Sequence, residues 1–257
     1  MDPAGKVAVI TGGGSGIGRT TALRLAARGA SIMIVDLNDR MGEEAVGLIE
    51  QKGGRAAFVK AEVTDAEQMA AALQSTVSRF NRVDILYNNA GLALPPPGFP
   101  KVGIEVWRRV LDVDLQAVIL GCHLAYPLMK QSGGGVIVNT ASMAGVYPMP
   151  LDPVYAAAKA GVVHLTHSLV NWQKDGIRVN CVCPGITNTP MVARMLETRV
   201  KAELKSVKPQ NLLQPDAIAD VVLNFIHDDR LAGQVVEVRP SGPQVMPARP
   251  IVGRRAT

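Results

Sequence analysis

The sequence predicts an α/β protein with one doubly wound, seven-stranded parallel sheet that carries helices on both faces. Three observations support this prediction. Short apolar runs alternate with longer segments of helical periodicity along residues 6–238. These runs are continuously apolar, which is typical of strands buried on both faces. Connections are short and no linker or repeat interrupts them, so we expect the 257 residues to form a single domain.

The first half of the chain alternates regularly between strand and helix. The opening apolar run ends in glycines, and the first helix stops at Gly29. The second strand closes at Asp36, and Thr64-Asp65 offers an N-cap for the third helix. The predicted strands of this half are 6–11, 30–35, 55–60 and 83–88, and the predicted helices are 17–29, 40–52 and 66–80.

The second half continues the alternation with longer helices. Residues 104–129 read as helical in two segments, and three glycines at 133–135 end that stretch. Pro153 suits the first turn of a helix. Residues 184–214 have weak periodicity, which favours a mobile flap. The predicted strands here are 136–140, 177–183 and 234–238, and the remaining helices are 153–172 and 215–228.

The charge of the chain is concentrated at its end. There are 27 Lys and Arg against 22 Asp and Glu, but residues 239–257 hold four arginines and no acid, so the rest carries only 23 − 22 = +1. We predict a folded domain over 1–242 and an irregular Pro/Arg-rich tail over 243–257. With a near-neutral body and 4% aromatic residues, we expect no nucleic-acid partner.

Composition excludes several other classes. No apolar stretch of about 18 residues and no secretory signal is present, so we expect neither a membrane span nor export. Three cysteines fit a reducing compartment, which favours the cytoplasm. Cys181 and Cys183 alternate on a predicted strand as core thiols. His164 and His167 have no nearby carboxylate ligand in the sequence, so we expect no metal site.

The junction of the first strand and first helix predicts a dinucleotide site. It reads Thr-Gly-Gly-Gly-Ser-Gly-Ile-Gly over residues 11–18, and glycines there let the backbone approach a pyrophosphate at a helix N-terminus. Asp36 follows 18 residues after Gly18, at the end of the second strand. A carboxylate at that place can bind both ribose hydroxyls of adenosine and would repel a 2′-phosphate, which favours NAD over NADP.

Further motifs give the chain a family resemblance. The pattern TGxxxGxG, then Asn88-Asn89-Ala90-Gly91, Ser142, Tyr155-x3-Lys159 and Pro184-Gly185 resemble the classical short-chain dehydrogenase/reductase family over residues 5–240. The resemblance implies a Rossmann fold and an NAD cofactor. The cofactor-binding residues it implies are Gly12, Ser15, Gly16, Ile17, Gly18, Asp36, Leu37, Glu62, Val63, Asn89, Ala90, Gly91, Tyr155, Lys159, Pro184, Gly185, Ile186 and Thr189.

Three residues of these motifs, Ser142, Tyr155 and Lys159, have the chemistry of an alcohol oxidation site. Tyr155 and Lys159 are four residues apart and share one helical face. A phenol ionises near pH 10, and a nearby ammonium favours the phenolate. Ser142 follows the fifth strand and can hold a substrate oxygen at the carboxyl edge of the sheet. The resemblance implies that Tyr155 is the general acid–base and that Lys159 also binds the nicotinamide ribose.

Two positions depart from the family pattern. Glu62-Val63 stands where an Asp-Val pair often contacts adenine. Asp114 stands where a fourth catalytic member is usually asparagine. We retain Asp114 in the catalytic set and hypothesise that the proton relay survives, although a carboxylate near Lys159 would oppose ionisation of Tyr155.

The predicted substrate pocket is mostly apolar and indicates a hydrophobic secondary alcohol. Its lining is predicted to include the segment 92–99, which begins with Leu92, together with Met143, Tyr147, Met149 and the flap from Met191 onward. The segments 153–155, 182–185 and 228–233 resemble those of NAD-dependent 15-hydroxyprostaglandin dehydrogenases. The alternatives are a carbonyl or 3-oxoacyl reductase using NAD(P)H, and a non-catalytic NAD-binding sensor. The resemblance also implies a homo-oligomer, either a dimer or a tetramer.

Overall fold

The computed structural model describes residues 1–93, 95–198 and 212–247. Its strands belong to one sheet, and their chain order is β1 (Val7–Thr11), β2 (Ser31–Asp36), β3 (Arg55–Lys60), β4 (Ile85–Asn88), β5 (Gly135–Thr140), β6 (Ile177–Pro184), β7 (Val235–Arg239) and β8 (Gly242–Val245). The order across the sheet is β3-β2-β1-β4-β5-β6-β7-β8, and β1 to β7 are parallel.

Helices cover both faces of this sheet. They are α1 (Gly16–Ala26), α2 (Asp39–Glu50), α3 (Ala66–Phe80), α4 (Ile104–Leu111), α5 (Ala117–Gln131), α6 (Pro153–Ser168), α7 (Pro190–Thr198) and α8 (Pro215–His227). A π-helical turn, Asp112–Gln116, joins α4 to α5, which gives the two predicted segments. The helix predicted to end at 172 ends at Ser168 and continues as a 3₁₀ segment, Leu169–Asp175.

The two sides of the sheet pack against different helices. Successive side chains on β1 point to opposite faces, so Val7 and Val9 pack with α3, α5 and α6, whereas Ala8 and Ile10 pack with α1, α2 and α8. All five residues of β1 are buried. The continuous apolar runs therefore reflect burial on two faces, and the predicted doubly wound α/β fold is confirmed.

The sheet has eight strands where seven were predicted, because the start of the predicted irregular tail forms a strand. An eighth strand, β8, pairs antiparallel with β7, and Glu237 stands opposite Gln244 in their register. A two-residue connection and a φ of 110° at Gly242 permit this hairpin. Pro243 is tolerated because β8 is an edge strand, where a missing N–H costs no ladder hydrogen bond. Residues 248–257 of the predicted tail lie outside the described residues.

The predicted flap over residues 184–214 is described only in part. The first part of the predicted flap contains α7, and residues 199–211 lie outside the described residues. Among the helices that are described, none is long and apolar enough to cross a membrane. At the switch in strand order between β1 and β4, the connections diverge to opposite faces and leave a crevice at the carboxyl edge.

Candidate active site

A cavity of about 660 Å³ opens at this carboxyl edge. It extends from the ends of β2 and β3 past the glycine loop to the ends of β5 and β6. Among the predicted residues, its wall contains Gly12, Ser15, Gly16, Ile17, Asp36, Leu37, Glu62, Val63, Asn89, Ala90, Gly91, Leu92, Asp114, Ser142, Tyr155, Lys159, Pro184, Gly185, Thr189 and Met191.

The glycine loop is shaped by positions that exclude a side chain. Gly12 has a φ of 62°, and a Cβ there would lie 2.9 Å from Cα of Ala90. A Cβ on Gly18 would lie 2.3 Å from the carbonyl oxygen of Gly12, so α1 packs directly against the loop. Gly18 therefore shapes the loop from behind and does not line the cavity.

The N-terminus of α1 presents unpaired donors to the cavity. No side chain in the described part of the chain caps this helix, and its first turn holds no acid. Free N–H groups and the positive end of the helix dipole suit a phosphate. Ser15, Gly16 and Ile17 at this end all line the cavity, so the donor set fits the pyrophosphate of a dinucleotide.

Asp36 is fixed by the backbone around it. Its carboxylate accepts from the N–H of Gly14 at 2.9 Å and from the N–H of Asn38 at 3.0 Å. A carboxylate has about four acceptor positions, so capacity remains for two ribose hydroxyls. The side chain is thereby aimed before any ligand binds.

The Asn-Asn-Ala-Gly segment is joined to the glycine loop by hydrogen bonds. The Nδ2 of Asn89 donates to the carbonyl oxygens of Thr11 at 3.0 Å and of Gly12 at 3.2 Å. The hydroxyl oxygen of Thr11 accepts from the N–H groups of Asn89 and Ala90. These bonds hold the ends of β1 and β4 in fixed relation across the crevice.

The side chains of Tyr155 and Lys159 meet on α6 as their spacing predicts. Nζ of Lys159 lies 5.7 Å from the centre of the Tyr155 ring. The Lys159 side chain is 3% exposed, and its ammonium donates to the carbonyl oxygen of Thr140 at 3.0 Å. Asp152 caps α6 by accepting from the N–H of Tyr155 at 3.1 Å. The helical turn that carries the phenol is therefore held by Asp152 at Tyr155 and by Thr140 at Lys159.

Asp114 forms a buried ion pair with Lys159. Its Oδ1 lies 3.1 Å from Nζ, and the Asp114 side chain is fully buried. Both carboxylate oxygens accept from the N–H of Leu92, at 3.1 and 3.3 Å. A Cβ on Gly91 would lie 2.8 Å from Oδ1, so only glycine lets the loop approach this closely. The π-helical turn that carries Asp114 makes this contact, and such turns are common at functional sites.

The charges around Tyr155 act in opposite directions. Burial raises the pKa of Tyr155, and the Lys159 ammonium lowers it. Asp114 and Asp152 raise the pKa of Tyr155, whereas a hydrogen bond from Ser142 lowers it. Burial alone would lower the pKa of Lys159, but Asp114 and Tyr155 raise it overall, so the ammonium is retained.

Some predicted residues stand outside the cavity wall. Tyr147 points to the sheet, where its hydroxyl donates to Glu237 at 3.0 Å. Met149 is half-buried, and Ile186 is 44% exposed beyond Pro184-Gly185. The predicted residues that the cavity wall does not include are Gly18, Met143, Tyr147, Met149 and Ile186.

The cavity also has lining residues that sequence reasoning missed. Arg109 is the charged member of this group. Periodicity places Arg109 on the predicted helix 104–129 but gives no sign of which helix face reaches the crevice. The missed residues are Asn38, Met41, Ala61, Arg109, Val113, Thr140, Ala141, Thr187 and Pro190. The predicted segment 92–99 and the predicted flap from Met191 contribute the further lining residues Ala93, Pro95, Val192, Arg194 and Met195. Within residues 1–93, 95–198 and 212–247, no cluster of three His, Cys, Asp or Glu could hold a metal ion.

Comparisons with known proteins agree with this geometry. The family model described as short chain dehydrogenase matches residues 6–200. Cyclohexanol dehydrogenase from Acinetobacter sp. (strain SE19) is 41% identical over 87% of this chain and 88% of its own length. The NAD(+)-dependent 15-hydroxyprostaglandin dehydrogenase of Mus musculus is 32% identical over 94% of this chain and 92% of its own.

A solved structure shows the same architecture. Levodione reductase is similar with a TM-score of 0.87 and 32% identity, over 93% of this chain and 97% of that chain. The family-model match covers most of the chain and includes the glycine loop, Tyr155 and Lys159. This chain is an oxidoreductase that belongs to the short-chain dehydrogenase family.

Proposed function

We propose that this oxidoreductase transfers a hydride between an apolar, cyclic secondary alcohol and NAD, with Tyr155 as general acid–base. The observation that carries the proposal is the joint placement of Tyr155, Lys159 and Ser142 in one cavity with the glycine loop and Asp36. The cyclic framework is suggested by the cyclohexanol dehydrogenase relative, which shares 41% of aligned residues.

The choice of NAD rests on Asp36. Its backbone-held carboxylate is suited to two ribose hydroxyls and would repel a 2′-phosphate. Leu37 follows it, lines the cavity and is 54% exposed, so the position directly after Asp36 supplies no cation for such a phosphate. The NAD(+)-dependent relative from mouse supports the same choice.

In oxidation, Tyr155 accepts the hydroxyl proton of the alcohol while the carbinol hydrogen leaves as hydride. Lys159 favours the phenolate because its ammonium is fixed beside the ring. Ser142 accepts from the N–H of Ala144 at 3.1 Å, which orients its hydroxyl so that it can donate to the substrate oxygen. The chemistry that NAD supplies when bound is hydride acceptance, together with a positive charge that favours the phenolate.

The substrate side of the cavity is mostly apolar, and Arg194 of α7 is the charged residue beside it. Leu92, Ala93 and Pro95 come from the loop after β4, and Met191 and Met195 come from α7. Methionines adapt to ligands of irregular shape, and apolar walls favour a hydrocarbon framework around one hydroxyl. These residues support an apolar alcohol over a sugar.

The proposal extends to the assembly and the compartment. Apolar side chains are exposed on α4 and α5, at Ile104, Val106 and Ile119, and they support a homo-oligomer. Size-exclusion chromatography with light scattering would measure the mass of the assembly. The free thiols of Cys122, Cys181 and Cys183 are all buried and fit a reducing compartment such as the cytoplasm.

The test measures NADH formation from a panel of secondary alcohols, with NAD and NADP in parallel. We expect turnover of cyclic apolar alcohols with NAD, and its loss in Tyr155→Phe while NAD binding persists. Turnover only in the reductive direction with NADPH would favour the carbonyl or 3-oxoacyl reductase. Tight NAD binding with no turnover of any alcohol or ketone would favour the sensor.

A further inference from the structure

A second charged contact lies in the wall of the cavity, away from Tyr155. Arg109, in the last turn of α4, donates through Nη2 to Oε2 of Glu62 and through Nη1 to the Thr64 hydroxyl at 2.8 Å. Glu62 Oε1 in turn accepts from the N–H of Thr64 at 3.3 Å. The Arg109 and Glu62 side chains are 42% and 22% exposed, and both line the cavity.

This contact lies on the adenosine side of the proposed cofactor site. Asp36 ends β2 and Glu62 follows β3, so both lie on the side of β1 that is away from β4. Ser142 follows β5, and Tyr155 and Lys159 lie on α6, on the other side of the glycine loop. A dinucleotide that spans the loop therefore places its adenine next to Glu62 and Arg109.

The surroundings suit a flat, uncharged ring. Leu37, Val63 and Val113 also line this part of the cavity and supply apolar surface. Arg109 is the planar group among these residues, and its guanidinium is held by two acceptors before any ligand binds. A guanidinium is weakly hydrated and stacks on aromatic faces, and a group that is already immobilised loses little entropy when it binds a base.

We propose that Arg109 is a binding residue for adenine, and that its guanidinium, fixed by Glu62 and Thr64, stacks on the base. The inference rests on the proposed use of NAD. Glu62 then has a second task besides facing the base, since it holds the guanidinium in position.

The Glu62–Arg109 pair persists at neutral pH. Burial raises the pKa of Glu62, but hydrogen bonds from Arg109 and Thr64 bring it below its ordinary value. The carboxylate is consequently ionised near neutrality, in the form that pairs with Arg109.

The experiment measures binding of ADP-ribose and of nicotinamide mononucleotide to the full chain by isothermal titration calorimetry. Arg109→Lys keeps the positive charge and loses the plane, and Arg109→Gln loses both. We expect both variants to raise the Kd for ADP-ribose by about 3- to 30-fold and to leave nicotinamide mononucleotide binding unchanged.

Arg108→Gln is the matched control. Arg108 is the neighbouring arginine on α4, is 58% exposed, pairs with Glu105 at 3.2 Å and does not line the cavity. The Arg108→Gln variant removes one positive charge from the same helix, and we expect its Kd for ADP-ribose to stay within about twofold of the wild type. Urea unfolding of each variant verifies that the fold is retained.

Two results would overturn the inference and can be told apart. Wild-type affinity for ADP-ribose in Arg109→Lys, or an equal loss in Arg108→Gln, would show that charge alone acts and would refute stacking. Failure of the wild-type chain to bind either ADP-ribose or NAD would refute the proposed function, and the inference with it.

Discussion

Replacing Asp114 with asparagine would remove one buried charge beside the catalytic lysine and change little else. Asparagine has nearly the same shape, and its oxygen can still accept from the N–H of Leu92, which now bonds the carboxylate at 3.1 Å. The Lys159 ammonium would lose the anion that lies 3.1 Å away. Its positive charge would then act on Tyr155 without compensation, so the pKa of Tyr155 should fall.

The size of this effect follows from two distances. Lys159 Nζ lies 3.1 Å from Oδ1 of Asp114 and 5.7 Å from the centre of the Tyr155 ring, which together place the carboxylate within about 9 Å of the ring. A unit charge at about 9 Å in an effective dielectric of about 20 contributes about 1.8 kcal/mol. One pKa unit corresponds to about 1.4 kcal/mol, so the pKa of Tyr155 should fall by about one unit.

The assay is the pH profile of kcat/KM for alcohol oxidation. Activity rises with pH as Tyr155 loses its proton, so a lower pKa moves the acid limb toward lower pH by about one unit. Below the wild-type limb, Asp114→Asn should therefore be up to about tenfold faster. Asp112→Asn removes the same charge from the same π-helical turn but not from the cavity wall, and its limb should not move. An unchanged limb in Asp114→Asn, or a shift to higher pH, would refute this reasoning.

Three further experiments test the cofactor site and the buried core. Asp36→Asn keeps an oxygen for the N–H of Gly14 but removes the charge, so the preference for NAD over NADP in kcat/KM should fall by about tenfold or more; an unchanged ratio would exclude Asp36 as the determinant. Gly12→Ala places a side chain at a φ of 62°, with Cβ 2.9 Å from Cα of Ala90, and should cost about 1–3 kcal/mol in urea unfolding and weaken NAD binding; wild-type stability would contradict the loop geometry. Burial raises the pKa of Cys122 to about 12, so iodoacetamide at pH 8 should label it only after unfolding in urea, and rapid native labelling would contradict its burial.

Local patterns were sufficient for most of the fold. Continuous apolar runs such as 30–35 predicted strands buried on both faces because a parallel sheet leaves neither face in water. The apolar pattern did not predict the antiparallel β8, because Gly242–Val245 contains a proline and has no apolar run. That segment forms a strand because it pairs antiparallel with the edge of β7, a contact that is set by the tertiary structure.

The site divides in the same way. The spacing of Tyr155 and Lys159 placed both on one helical face because helical geometry is local. Tyr147 was expected near the substrate, but Glu237, 90 residues further along the chain, accepts its hydroxyl and holds it against β7. Periodicity carries no information on such a pairing.

The sequence by itself therefore determined the layers of the fold, the glycine turn at the crevice and the helical pairing of phenol and ammonium. Each depends on dihedral angles or on residues within one or two turns. The family resemblance placed Asp114 near Lys159, but the tertiary structure alone decided that Arg109 reaches Glu62, 47 residues earlier in the chain, and that Tyr147 reaches Glu237. Those contacts join elements that are distant in sequence, and packing around the completed sheet is what brings their side chains within hydrogen-bonding distance.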